Sequence, residues 1–209
     1  MDADAVELRV LGCLIEKQRT TPDVYPLSLN SLRLACNQST NREPVVEYEE
    51  PEIRRALERL AERRWARLTS GAGSRAAKYR HLLDEALGLD DAEISLLAVL
   101  MLRGAQTPGE LKQRTERLHR FDALPELEET LDGLIGRELV ARLSRRPGQK
   151  EERYVQLLGG EAPDAAEAAP ASWAAPPVAT PGSERLAALE ARVERLEAEL
   201  EALRAGRDS

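Results

Sequence analysis

The chain repeats itself. At an offset of 86 residues, Glu7-Leu8 falls on Glu93-Ile94 and Thr21-Pro22 on Thr107-Pro108. Further along, Pro51-Glu52-Ile53 with Leu57, Leu60 and Leu68 matches Pro125-Glu126-Leu127 with Leu131, Leu134 and Leu143. Tyr79 through Leu83 is then echoed by Tyr154 through Leu158. A unit of roughly 75–80 residues is too long for a solenoid repeat and suits a small domain. One fold, used twice, therefore has to account for residues 1–158.

The order of elements inside each copy narrows that fold. Leu11, Leu14 and Ile15 sit at i, i+3, i+4 and predict an amphipathic helix over about 5–18. Ser28 caps a second helix carrying Leu29, Leu32 and Cys36, and Pro51 opens a third, where proline is tolerated in the first turn. Two short strands, 65–68 and 77–82, flank the glycine-containing stretch 70–74. The second copy predicts helices at about 91–102, after Thr107-Pro108, and at about 125–137. Its strands fall near 139–144 and 152–158. Three helices followed by a hairpin is the winged-helix arrangement. The expected fold is mainly α with small β-hairpins: winged-helix domains at 1–85 and 86–158, with wings at 70–77 and 145–152. An Ala/Pro-rich linker follows at 159–182, then a coiled-coil helix at 183–205.

Charge separates the two copies. Residues 1–83 carry 14 Lys and Arg against 12 Asp and Glu, while residues 84–158 carry 11 against 15. The chain as a whole is at −7, so bulk charge does not mark it as a polyanion binder. Local clustering does so for the first copy. Arg55, Arg59 and Arg63 form an i, i+4 row on the third helix, the element that enters the major groove in winged-helix proteins. Arg75 and Lys78 in the wing extend it, and Asn41 and Arg42 stand in a polar loop, 37–45, with no counterpart in the second copy. These seven residues are the expected duplex-DNA contacts. Equally, Glu58 and Glu62 can partner the arginines on a solvated face, and the loop can cap its own backbone. The second copy's third helix carries Glu126, Glu128, Glu129 and Asp132, which repel phosphate and suit a protein partner.

Enzymatic readings find no support. His81 and His119 have no metal-ligand spacing with each other or with Cys13 and Cys36. Cys13 lies on an apolar helix face, and no glycine-rich phosphate loop follows a strand. No enzyme activity and no cofactor are expected. Neither a signal peptide nor a membrane-spanning run is visible, so the expected location is the cytoplasm. The expected function is a DNA-binding regulatory or accessory protein, with a protein-interaction scaffold as the alternative.

Cys36-Asn-Gln-Ser-Thr-Asn-Arg-Glu-Pro-Val45, Thr21-Pro22 with Tyr25-Pro26, and Leu102-Arg-Gly-Ala-Gln-Thr-Pro-Gly-Glu-Leu111 closely resemble the YceH family of bacterial proteins. The resemblance covers residues 1 to about 160. It implies tandem winged helices, a cytoplasmic location and a bacterial source, and it carries over no catalytic or cofactor residue. The tail is where the chain departs from the family pattern.

That tail has its own signal. Leu186, Leu189, Val193, Leu196, Leu200 and Leu203 alternate steps of three and four, a heptad seam with Leu186, Val193 and Leu200 at position a. In a parallel dimer the flanking pairs Arg185 with Glu190, Arg192 with Glu197, and Glu199 with Arg204 are all opposite in sign. Self-association through this seam is the expected result. Sedimentation should show a dimer for the full chain and a monomer for a chain ending at Gly160. Leu196→Lys should give a monomer by burying an unpaired charge. Equal oligomeric states for the two lengths would exclude the seam as the contact.

Overall fold

A computed structural model describes residues 3–69, 77–145 and 151–160. The expected wing tips, the linker beyond Gly160 and the heptad helix with its six seam residues lie outside the described residues.

Helix α1 (Ala5–Thr20) starts at a reciprocal cap: Asp4 accepts from the Glu7 amide at 2.8 Å and Glu7 accepts from the Asp4 amide at 2.9 Å. A 3-10 turn (Pro22–Val24) and a two-residue strand β1 (Leu27–Ser28) lead to α2 (Leu29–Cys36), capped by Ser28 as expected. Then come α3 (Glu50–Glu62), β2 (Ala66–Thr69) and β3 (Lys78–His81). A short α4 (Leu83–Leu87) ends at Gly88, whose φ of 58° suits a left-handed cap. The order then recurs as α5 (Asp91–Arg103), α6 (Pro108–Thr115), α7 (Leu124–Gly136), β4 (Val140–Leu143) and β5 (Arg153–Gln156). The α5 cap is again Asp90 with Glu93, at the same offset as Asp4 with Glu7. The protein is thus mainly helical with small antiparallel sheets.

Two details of the sequence alignment change. Thr107 caps α6, so its counterpart is Ser28, the cap of α2, and not Thr21. α1 runs three residues longer than α5 and the connection after it, which holds the 3-10 turn, is four residues longer, which together drop the offset from 86 to 79. Leu68 does not match Leu143. Leu68 pairs with Tyr79 and Arg142 pairs with Tyr154, so Arg142 is the equivalent of Leu68. A one-residue slip changes the face of the strand. Accordingly Leu68 is 56% exposed and Leu143 only 7%.

The first sheet has order β1-β3-β2, with Leu27 opposite Tyr79. The second is the β4-β5 hairpin, and its third strand is reduced to one bridge, Gln106 to Tyr154, with N–O distances of 3.0 and 2.8 Å.

The expectation of a one-sided α1 also needs revision. Val10 through Ile15 are buried in unbroken succession, as are Ile94 through Leu102 of α5. A helix buried on every side is a central helix. α1 packs on α2 and α3 within its own copy, and its most extensive helix contact is with α5 of the other. The two copies share one apolar core, and all described residues belong to one compact unit. Backbone bonds cross between the copies too: Ala3 donates to Leu158 at 3.0 Å and Glu43 to Leu102 at 2.8 Å.

Gly12 lets the two central helices approach. A Cβ there would lie 2.9 Å from Leu102 Cγ and 3.3 Å from Met101 Cβ. Gly133, on the exposed side of α7, has nothing within 4 Å of the same position. Alanine favours a helix interior over glycine by about 1 kcal/mol, whereas overpacking costs about 1–3 kcal/mol. Gly12→Ala should therefore lower the denaturant midpoint and Gly133→Ala raise it. A gain at both positions would show that α1 and α5 have room to spare.

Candidate nucleic-acid interface

The third helix of each copy settles what its charges do. α3 buries Ile53, Ala56, Leu57 and Leu60 against the core and turns Arg54, Arg55, Glu58 and Glu62 outward. Its counterpart α7 buries Leu127, Leu131 and Leu134. At the constant offset of 74, Arg54 corresponds to Glu128, Arg55 to Glu129 and Arg63 to Arg137. The outward positions of Arg54 and Arg55 thus carry opposite charge in the two copies, while Arg63 and Arg137 keep the same one.

The expected arginine row divides on inspection. Glu7 is 1% exposed, and a carboxylate taken out of water requires cationic partners. Arg59 and Arg63 supply them, with Nε atoms each 3.4 Å from a Glu7 oxygen. Arg59 also pairs with Asp4, and the Arg63 guanidinium lies 5.6 Å from the Trp65 ring centroid. The second copy repeats the contact, with Arg137 Nη1 3.0 Å from Glu93. A pairing present in both copies belongs to the shared fold. Arg55 is exposed and has no ion partner among the described residues; the same holds for Arg54 and for Arg67 on β2. Arg54 and Arg67 line a groove of about 220 Å³ between α3 and the sheet, with Glu58, Leu68 and Tyr79. Lys78 is half-buried on the central strand β3. Arg75 lies outside the described residues.

Arg42 has to be withdrawn as an outward contact. Its side chain is fully buried and its five N–H groups all find oxygen. Two go to the Glu16 carboxylate, at 2.6 and 3.1 Å; the others go to the Ala35 carbonyl, the Asn41 carbonyl and Gln38 Oε1. Arg42 pins the 37–45 loop to α1 and α2. Asn37 closes the loop's far end by bridging the Tyr48 amide and carbonyl, both at 2.9 Å. Asn41 is exposed, with φ of 60°, and its side-chain oxygen accepts from Arg103 of α5.

Some polar residues of the interior left no trace in the sequence pattern. Arg9, 3% exposed, donates to the carbonyls of Cys36 at 3.1 Å and Pro44 at 2.6 Å. Cys13 and Cys36 are free, buried and hydrogen-bonded neighbours. Burial pushes the Cys13 thiol up, but the bond from Cys36 and the charges of Arg42 and Arg9 outweigh it and leave it lowered. Cys36 is raised by its bond to Cys13 and by burial. Their separation of 23 residues gave no local signal. In the second copy, Arg142 answers the acidic face by reaching Asp132 at 2.9 Å and Glu152 at 3.6 Å. Arg145 at the edge of the second wing lies 4.0 Å from Glu152; Arg146 and Lys150 lie outside the described residues. Among the described residues no cluster of three or more His, Cys, Asp or Glu is placed to hold a metal ion, and no helix is long and apolar enough to cross a membrane.

Residues 3–149 match the family described as Protein of unknown function, DUF480. A UPF0502 protein of Geotalea daltonii is 52% identical over 187 residues, covering 88% of this chain and 85% of that protein. The UPF0502 protein YceH of Escherichia fergusonii is 45% identical over 206 residues, covering 95% and 94%. The chain belongs to the YceH family. The resemblance carried by the 36–45 and 102–111 segments is thereby confirmed, and the two segments meet in space through the Glu43–Leu102 and Asn41–Arg103 contacts.

In this YceH-family member His81 closes β3. Its ring is in contact with Gln18 through Nε2 and lies 3.4 Å from Asp84 through Nδ1, while its amide donates to Tyr25 Oη at 2.9 Å. Burial lowers the imidazole from 6.5 to about 4; Asp84 pulls it upward, while Arg80 and Arg19 push it further down. Burial likewise pushes the Tyr25 phenol up to about 12. A histidine kept neutral in the fold binds its proton less readily than it does in the unfolded chain. Its contribution is whole above about pH 6.5 and is lost as pH falls toward about 4. Denaturant titrations should show a decline over that window worth up to about 3 kcal/mol, and His81→Gln should flatten it. Parallel pH profiles for the two proteins would exclude His81 as the cause.

Proposed function

We propose that the chain is a DNA-binding regulatory or accessory protein built from two winged-helix units, with α3 of the first unit as the recognition helix. The element order supports the fold reading: three helices and a hairpin, twice, with the third helix exposed along one side. The observation that carries the functional reading is the charge reversal between α3 and α7. Arg54 and Arg55 point outward, with no ion partner among the described residues, where α7 has Glu128 and Glu129. Arginine forks suit both phosphate oxygens and guanine edges. Arg67 extends the cationic surface onto β2, and Asn41 lies on the 37–45 loop. Arg59 and Arg63 serve mainly to hold α3 against α1, so the original row contributes Arg55 and gains Arg54.

The acidic α7 face favours a second reading in which this unit contacts a protein with a basic surface. The two readings are compatible: one unit on DNA, the other on a partner, with the heptad tail joining two copies of the chain.

Fluorescence anisotropy with labelled duplex DNA tests the proposal. Binding should weaken steeply with salt, because each arginine–phosphate contact releases counterions. Arg54→Glu with Arg55→Glu should weaken it by more than tenfold while the circular dichroism spectrum and melting temperature stay near those of the parent. Glu128→Gln with Glu129→Gln should leave it equal or stronger. A folded protein that shows no binding at low salt would defeat the DNA reading. Partners that survive nuclease treatment in a pull-down would then support the scaffold.

A further inference from the structure

A concave site of about 340 Å³ opens where the first copy meets the second. Glu16, Thr20 and Asn41 form one wall; Arg103 of α5, with Arg114 and Arg117 from α6 and the turn after it, forms the other. Val99, Leu102 and Leu118 supply an apolar floor. The charges do not cancel. Glu16 spends both oxygens on Arg42 behind it, and Arg114 is only loosely held by Glu110 at 3.3 Å. The guanidiniums of Arg42, Arg103, Arg114 and Arg117 against the carboxylates of Glu16 and Glu110 leave an excess of two positive charges. Arg117 is exposed and has no ion partner among the described residues, and the Arg103 guanidinium has a single hydrogen-bond partner there, the neutral Asn41. Burial lowers the Arg103 guanidinium, and the nearby charges of Arg114 and Arg42 lower it further. Cations gathered in a hollow at a cost to one of them call for an anion.

We propose that this hollow binds a small organic dianion, with a phosphomonoester as its headgroup. Guanidinium forks approaching from two elements suit the oxygens of a tetrahedral phosphate. Asn41, Thr20 and Gln113 add neutral polar groups, and Leu102 and Leu118 accept a short carbon skeleton. The volume is near the lower end for small-molecule sites, which fits a few-carbon phosphate better than a nucleotide. Asn41 is held by buried Arg42 on one side and by Arg103 on the other, so an occupant would bridge the two copies at their seam. The site stands apart from the α3 face and does not depend on the DNA reading.

Calorimetry on the full chain at fixed ionic strength tests this, using glycerol 3-phosphate, inorganic phosphate and succinate as probes. Glycerol 3-phosphate should bind saturably, one per chain, more tightly than succinate. Arg117→Gln, at an exposed position, and Arg103→Gln should each raise the dissociation constant tenfold or more. Arg54→Gln with Arg55→Gln should leave it unchanged. The proposal fails if neither phosphate binds beyond a chloride control, or if binding survives both pocket variants. Tighter binding of succinate would overturn the phosphomonoester assignment. Loss of duplex DNA binding in the pocket variants, with no binding of glycerol 3-phosphate by the parent, would reassign these arginines to the DNA backbone and likewise overturn it.

Discussion

The close approach of α1 and α5 is the contact on which the rest depends. Each of these helices is buried on all sides because each serves two masters: the helices of its own copy and the matching helix of the other. Gly12 against Leu102 and Met101 sets how near they come. With nine consecutive buried positions in α5, burial worth about 1.5–3 kcal/mol per large apolar side chain accumulates along one element. Neither copy can bury its central helix without the other. The two copies thus form one unit with a shared interior.

A shared interior creates polar obligations. α1 contributes Glu7, Arg9 and Glu16, and each must find partners on elements distant in sequence. Glu7 takes Arg59 and Arg63; Arg9 takes two carbonyls; Glu16 takes Arg42. The 37–45 loop exists in its observed form because it has to deliver Arg42 inward. That inward anchor also fixes Asn41 outward at the seam, so a structural requirement has shaped the lining of the arginine-rich hollow. Buried ion pairs are weak evidence for stability in themselves, but breaking one partner leaves a costly orphan charge. These residues therefore constrain the fold more than they strengthen it.

The duplication also acts as an internal control. Where both copies keep a feature, the fold needs it: Asp-x-x-Glu at the first helix, Glu7 with Arg63 and Glu93 with Arg137, a tyrosine opposite the extra strand. Where the copies diverge on exposed positions, packing gives no reason. Arg54 and Arg55 against Glu128 and Glu129 is such a divergence, and it separates arginines that hold the molecule together from arginines that face outward.

Residue order alone determined six of the helices, the Ser28 cap and the four longer strands, because these are set by local periodicity, proline and capping chemistry within a few residues; it left out α4, the 3-10 turn and the reciprocal caps of α1 and α5. It also determined the family, through two motifs long enough to be specific. It could not determine the direction in which an arginine points. Arg42 reads as a loop cation in sequence and is a buried anchor; Arg63 reads as a row member and is a partner of Glu7; Arg103, Arg114 and Arg117 come from α5, α6 and the turn after it and line one hollow. Burial on all sides of α1 was likewise invisible, since the periodicity of one helix cannot report a second helix 86 residues away. Local sequence sets local conformation through short-range sterics and hydrogen bonds. Which charges are neutralised and which remain for a ligand is decided only when distant segments pack and water is excluded between them.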